Sequence, residues 1–114
     1  MKKRNEELYL KDILEAISHI EAYTKNISYN QFSSDQMKID AVVRNLEIIG
    51  EAAKNLSKHT KARYPDVPWR NISGMRDKVI HEYFGVDLEI IWKTVQESLL
   101  GLKKVIKKIK SEHK

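Results

Sequence analysis

The sequence predicts an all-α protein, an antiparallel bundle of four to five helices. Three observations lead there. Four segments carry apolar residues at alternating steps of three and four, the spacing of one helix face. Only 4 Gly and 2 Pro occur in 114 residues, too few turn formers for a sandwich or barrel of short strands. With 41% apolar and 32% charged residues, the composition is that of a globular chain, and the length suits one domain over residues 1–114.

In the first segment Leu10, Ile13, Leu14, Ile17, Ile20 and Ile27 lie near one stripe, which predicts a helix over about residues 6–27. The polar stretch Ser28 to Ser34 ends it. A second helix begins after a cap at Ser34 or Asp35 and places Ile39, Val42, Leu46, Ile49, Ala53 and Leu56 along a packing seam. Residues 60–71 hold both prolines, Pro65 and Pro68, and read as a loop or irregular connection. A third helix is expected over 69–84 with Ile72, Met75, Val79 and Tyr83 inward, Gly85 as its C-terminal cap and Asp87 as the N-cap of the next. The fourth carries Leu88, Trp92, Val95, Leu99, Leu102, Ile106 and Ile109 in steps of four and three. Short connections between long helices imply antiparallel neighbours.

Composition excludes several chemistries. With no Cys there is no disulfide framework, thiolate zinc site, iron–sulfur cluster or cysteine nucleophile. His19, His59, His81 and His113 form no His-Glu-x-x-His pattern, and no Gly-rich loop precedes a helix to cradle phosphate. Glu47 and Glu51 stand one turn apart but lack the Glu-x-x-His partner of a di-iron bundle, so Arg44, Asn45, Glu47 and Glu51 read as an exposed or interfacial polar face. No apolar run approaches the roughly 18 residues of a membrane span, and the start Met-Lys-Lys-Arg-Asn-Glu-Glu leads into no secretory segment, so a cytoplasmic protein is expected.

The net charge of +5 is carried by residues 101–114, which hold six Lys against one Glu, leaving the rest balanced. A basic segment attracts phosphates, yet lysines at a helix C-terminus also complement the macrodipole.

One segment gathers chemistry: Arg76-Asp77-Lys78-Val79-Ile80-His81-Glu82-Tyr83. It offers a fixed cation, a proton-transfer group and a hydroxyl, although on spacing alone a helical His is more often structural. Arg-x-x-x-x-His-x-Tyr, met by Arg76, His81 and Tyr83 with the polar Asp77 after the Arg, resembles the signature of the HepT-like branch of the HEPN superfamily. Two further blocks, Ala41-Val-Val-Arg-Asn-Leu-Glu-Ile-Ile-Gly-Glu-Ala52 and Tyr64-Pro-Asp-Val-Pro-Trp69, resemble that family's second helix and the loop after it, in the same order. The resemblance covers most of residues 8–95.

It implies a HEPN-like homodimer that cuts RNA internally without a metal or other cofactor. It also implies a toxin paired with an MntA-like nucleotidyltransferase antitoxin that transfers AMP to the motif tyrosine, Tyr83. The catalytic pair would be Arg76 and His81, with Asp77 and Tyr83 in support.

Metal-free RNA cleavage requires a deprotonated 2′-hydroxyl, a stabilised phosphorane and a protonated 5′-oxygen. Imidazole, with an ordinary pKa near 6.5, is the motif's group suited to proton transfer at neutral pH, and the Arg76 fork suits phosphate oxygens. Asp77, one turn before His81, is placed to fix its tautomer or to sit on the surface without such a role. On an ideal helix Arg76 and His81 diverge by roughly 140°, while Arg76 and Tyr83 lie within about 20°. Convergence then needs either a helix distorted before Gly85 or two copies of the motif facing each other across a dimer axis, the arrangement that agrees with the family. Two readings from other classes compete: a non-catalytic helical partner that presents Tyr83 to a minimal nucleotidyltransferase, and a plain dimerisation domain.

Overall fold

The computed structural model describes residues 5–74 and 88–112. Among them every regular element is helical, as the apolar spacing predicts. Helix α1 runs Glu6–Thr24, with Asn5 as N-cap accepting from the Glu7 N–H. It stops short of Ile27 because Lys25 turns to an extended backbone (ψ 126°) and Asn26 to a left-handed one (φ 59°), conformations that a helix cannot continue through. The polar stretch after it is not merely a terminator. Ser28 and Gln31 form a reciprocal capping box, and Tyr29–Ser33 wind into a short helix, α2, that drives Phe32 into the core.

Helix α3, Gln36–Lys54, starts at Asp35, whose carboxylate accepts from the Lys38 N–H. Its seam residues Ile39, Val42, Leu46, Ile49 and Ala53 are all buried. They meet Leu10, Ile13, Ile17 and Ile20 of α1, each completely buried and each worth about 1.5–3 kcal/mol of hydrophobic stabilisation. The polar contacts between the two helices run in opposite directions: Lys38 Nζ donates to the Tyr23 carbonyl, His19 meets Asn45, and Glu6 reaches Ser57 beyond the far end of α3. The pair is antiparallel.

Part of the expected irregular connection is helix. Lys58–Arg63 form α4, capped by Ser57, whose hydroxyl accepts from the Thr60 N–H. The prolines that suggested a loop lie after it and leave this turn free. Glu6 seats α4 from across the bundle, one carboxylate oxygen accepting from the Ser57 N–H and the other from the Thr60 hydroxyl. Ser57→Ala should therefore lower stability by about 1 kcal/mol, the usual worth of an N-cap, read as a reduced urea midpoint with unchanged m-value. An unaltered midpoint would show that Glu6 alone holds this end.

Helix α5 spans Trp69–Ser73 and is shorter than the helix expected over 69–84. It ends at Gly74, a poor helix former whose N–H closes back on the Arg70 carbonyl and whose added Cβ would stand 3.2 Å from that oxygen. Met75, Val79, Tyr83, Gly85 and Asp87, to which packing and capping roles were assigned, lie outside the described residues.

The last helical rod has three parts: α6 over Leu88–Lys93, a π-helical turn over Thr94–Ser98, and α7 over Leu99–Glu112. The expected stripe holds in α7, where Leu99, Leu102, Ile106 and Ile109 are buried. It slips before that, where Ile91 of α6 is 2% exposed while Leu88 and Trp92 of α6 and Val95 of the π turn only flank the core. The π turn adds backbone per turn and so shifts the inward face. Helix α7 packs against α1, with Lys103 salt-bridged to Glu21 at 3.0 Å, and α6 meets α2 through Trp92, whose ring lies 5.2 Å from Phe32 and 6.1 Å from Tyr29. No described helix is long and apolar enough to cross a membrane.

Candidate functional site

Arg76, Asp77, His81 and Tyr83 lie outside the described residues, and the structure describes how the chain is held on either side of them. On the entry side the block Tyr64-Pro65-Asp66-Val67-Pro68-Trp69 serves as an anchor. The Trp69 ring is buried, and its Nε1–H is shared between the carbonyls of Tyr64 (3.0 Å) and Lys61 (3.2 Å). Backbone bonds Val67 N–H to Tyr64 carbonyl and Trp69 N–H to Val67 carbonyl fold the turn tightly. Pro68 precedes α5, and Ile72 packs this helix into the core against α3. On the exit side Ile91 and Trp92 fix α6.

Both sides border one cleft of about 570 Å³. Leu46 of α3 contributes to its lining, Pro68 and Ile72 line the entry side, and Ile90, Ile91 and Leu102 line the exit side. Asp66, Asn71, Thr94 and Ser98 supply its polar groups. The walls are chiefly apolar, with few polar groups among them.

The polar residues of the Ala41–Ala52 block divide. Arg44 and Glu51 are exposed and Glu47 is half-buried; with Tyr9 and Asp12 of α1 they line a second depression of about 310 Å³. Asn45, expected on the same polar face, is instead only 6% exposed. Its Nδ2 donates to the Ala41 carbonyl at 2.8 Å and its Oδ1 lies 3.2 Å from Nδ1 of His19, which stacks on Tyr23. At position 45 the helix turns its side chain toward α1, and a buried amide is stable there because both its ends are bonded. Among the described residues no three His, Asp or Glu side chains gather in a group able to hold a metal ion.

One feature escaped the sequence reading. Charge was assigned to the tail because residues 1–100 balance as a whole, yet Lys54, Lys58, Lys61 and Arg63 fall in a stretch, 52–63, without a single acidic residue. A local charge count would have found it. The fold places this stretch against the end of α7: Tyr64 donates its hydroxyl to Glu112, and Arg63 lies 3.6 Å from the same carboxylate.

Comparison with known proteins gives the same family as the resemblance does. A family model described as ribonuclease HepT-like matches residues 13–109. A protein of Thermococcus cleftensis named "Probable ribonuclease HepT" is 47% identical over 108 residues, 95% of this chain and 98% of that one. A chain from Caldanaerobacter subterraneus subsp. tengcongensis, described as a candidate RNase, is 45% identical over 93% of this chain and 95% of its own length. Another so described, from Methanocaldococcus jannaschii, is 43% identical over 96% of this chain and 90% of its own. No solved structure matches. With the match running from the first long helix to the last, this chain belongs to the HepT-like ribonuclease family.

Proposed function

We propose that this protein is a metal-independent endoribonuclease, the toxin of a two-component toxin–antitoxin pair, and that it works as a cytoplasmic homodimer. The observation that carries the reading is the complete Arg76, His81, Tyr83 motif, with Asp77, inside a chain that the ribonuclease family model covers over residues 13–109. The anchoring of Trp69 and of Ile91 supports it, since a catalytic segment needs rigid attachment at both ends.

In this reading His81 removes the proton of the RNA 2′-hydroxyl, and the resulting oxygen attacks the adjacent phosphorus. The P–O5′ bond breaks, the 5′-oxygen takes up a proton, and a 2′,3′-cyclic phosphate remains. Arg76 neutralises the phosphorane oxygens through two parallel hydrogen bonds. Asp77 orients the imidazole, and Tyr83 orients the substrate. No cofactor enters the reaction. The two motifs face each other across an isologous dimer contact.

Control lies at Tyr83, the acceptor of AMP from an MntA-like nucleotidyltransferase. Each AMP adds a phosphodiester, about one negative charge, and a purine within two residues of His81. The combination repels the RNA backbone and fills the site.

The test uses purified protein and RNA in excess chelator. Cleavage to cyclic-phosphate ends is expected, and treatment with the cognate nucleotidyltransferase and ATP should add the mass of AMP and abolish it. Tyr83→Phe should keep its original mass. Cleavage that disappears in chelator overturns the metal-free reaction; a fully modified Tyr83→Phe chain overturns the proposed control.

A further inference from the structure

We propose that α4 and α7 together form a phosphate-binding platform that grips the backbone of an RNA strand, an inference that rests on the ribonuclease reading. Two basic runs far apart in sequence meet here. Residues 52–63 contribute Lys54, Lys58, Lys61 and Arg63, and residues 99–111 contribute Lys103, Lys104, Lys107, Lys108 and Lys110; neither run contains an acidic residue.

Tyr64 joins them. Its ring has the Arg63 guanidinium and the Lys108 ammonium each 5.9 Å from its centroid, and its hydroxyl donates to Glu112 of α7. Glu112 also pairs with Arg63 at 3.6 Å, so a single carboxylate clamps the two helices while most of the cations stay unneutralised. The seat is firm: Glu6 fixes the start of α4 through Ser57 and Thr60, and buried Ile106 and Ile109 fix α7.

Within the platform Lys103 is occupied by Glu21 and Arg63 by Glu112, as Lys11 elsewhere in the fold is by Glu15. Lys58, Lys104, Lys107 and Lys108 are exposed and make no ion pair among the described residues. Lys104 and Lys108 stand one turn apart on one face of α7, and Lys108 reaches the Tyr64 ring.

Such a surface fits a phosphodiester chain better than a protein partner. Protein interfaces centre on apolar and aromatic side chains and are depleted in Lys, whereas nucleic-acid backbones are held by Lys and Arg. The large exposed apolar side chains, Leu8, Met37, Ile90 and Leu100, all fall outside α4 and outside residues 101–112. Sequence-independent affinity for the backbone is what such a platform contributes.

The experiment measures anisotropy of a fluorescein-labelled single-stranded RNA across a salt series, in a His81→Ala background that keeps the RNA intact. Combining Lys58→Gln, Lys104→Gln, Lys107→Gln and Lys108→Gln should weaken binding about tenfold or more at low salt. The slope of log affinity against log salt should flatten by about 0.7 for each phosphate that is no longer neutralised. Replacing the same four with Arg should restore binding, and Lys25→Gln with Lys93→Gln, exposed cations elsewhere, should change it less than about twofold. In the otherwise wild-type chain the four Gln changes should raise KM and leave kcat unchanged.

Binding by the fourfold variant equal to its parent overturns the platform, as does equal weakening by the Lys25 and Lys93 pair. Polyglutamate binding as tightly as RNA of the same charge also overturns it, in favour of an acidic protein. RNA binding that needs the four lysines in a protein that never cleaves RNA overturns the ribonuclease reading and leaves the platform standing.

Discussion

His81→Ala is expected to lower RNA cleavage by about 100-fold or more, with the fold retained. The magnitude follows from the role: a positioned general acid or base contributes roughly 10²–10⁴ to rate, and no other side chain type in the Arg76–Tyr83 segment is suited to exchange a proton near neutral pH. Arg76→Ala should produce a loss of similar order by removing phosphorane stabilisation. Arg76→Lys should rescue it only in part, because an ammonium keeps the charge and loses the planar fork. The measurement is the single-turnover rate at saturating protein, accompanied by thermal unfolding of each variant. A folded His81→Ala protein that cleaves at the wild-type rate would remove His81 from the reaction.

The second large effect concerns stability. Phe32→Ala should cost about 3–5 kcal/mol, a large share of the ~5–15 kcal/mol that holds a domain of this size together. Phe32 is completely buried although it sits on a helix of only five residues, and its ring meets Trp92 at 5.2 Å. Removing it leaves a cavity between α2, α3 and α6 that the neighbours fill only partly. Urea unfolding followed by Trp fluorescence measures the change, and a loss below about 1 kcal/mol would mean that the local packing collapses around the gap. The phenylalanine was invisible as a core residue to periodicity, since a five-residue helix offers no repeat to read.

That example marks where the sequence is legible. Helices α1 and α3 follow from their apolar spacing because each is 19 residues long and buries one continuous stripe. The short elements α2 and α4 are instead specified by caps, Ser28 with Gln31 and Ser57 with Thr60, which signal a single turn as readily as a long helix. Asn45 is a related case: its polarity placed it on an exposed or interfacial face, while two specific bonds compensate its burial. The Arg76, His81 and Tyr83 motif was legible as a resemblance and not as geometry, because helical angles alone set Arg76 and His81 apart. Of the functional surface, the platform at Tyr64 was hidden for a different reason. Its two halves lie more than 30 residues apart, and a charge balance taken over the first 100 residues averages one of them away.

The π turn at Thr94–Ser98 makes the last helix two rods in tandem with separate phases. On an unbroken α-helix Leu88 and Trp92 would share the inward face with Leu99 and Ile106, as their spacing suggests; the wider turn rotates the first rod so that Ile91 takes that place. The turn thus acts as a phase adapter, letting one chain segment satisfy two neighbours, α2 beside the first rod and α1 beside the second. Its length is correspondingly quantised. Losing one residue there would turn the second rod by about 100° relative to the first, carrying Ile106 and Ile109 off the core and swinging Lys108 away from Tyr64. Spacing within residues 94–98 therefore sets the aim of the basic surface, even though none of those five side chains is charged except Glu97.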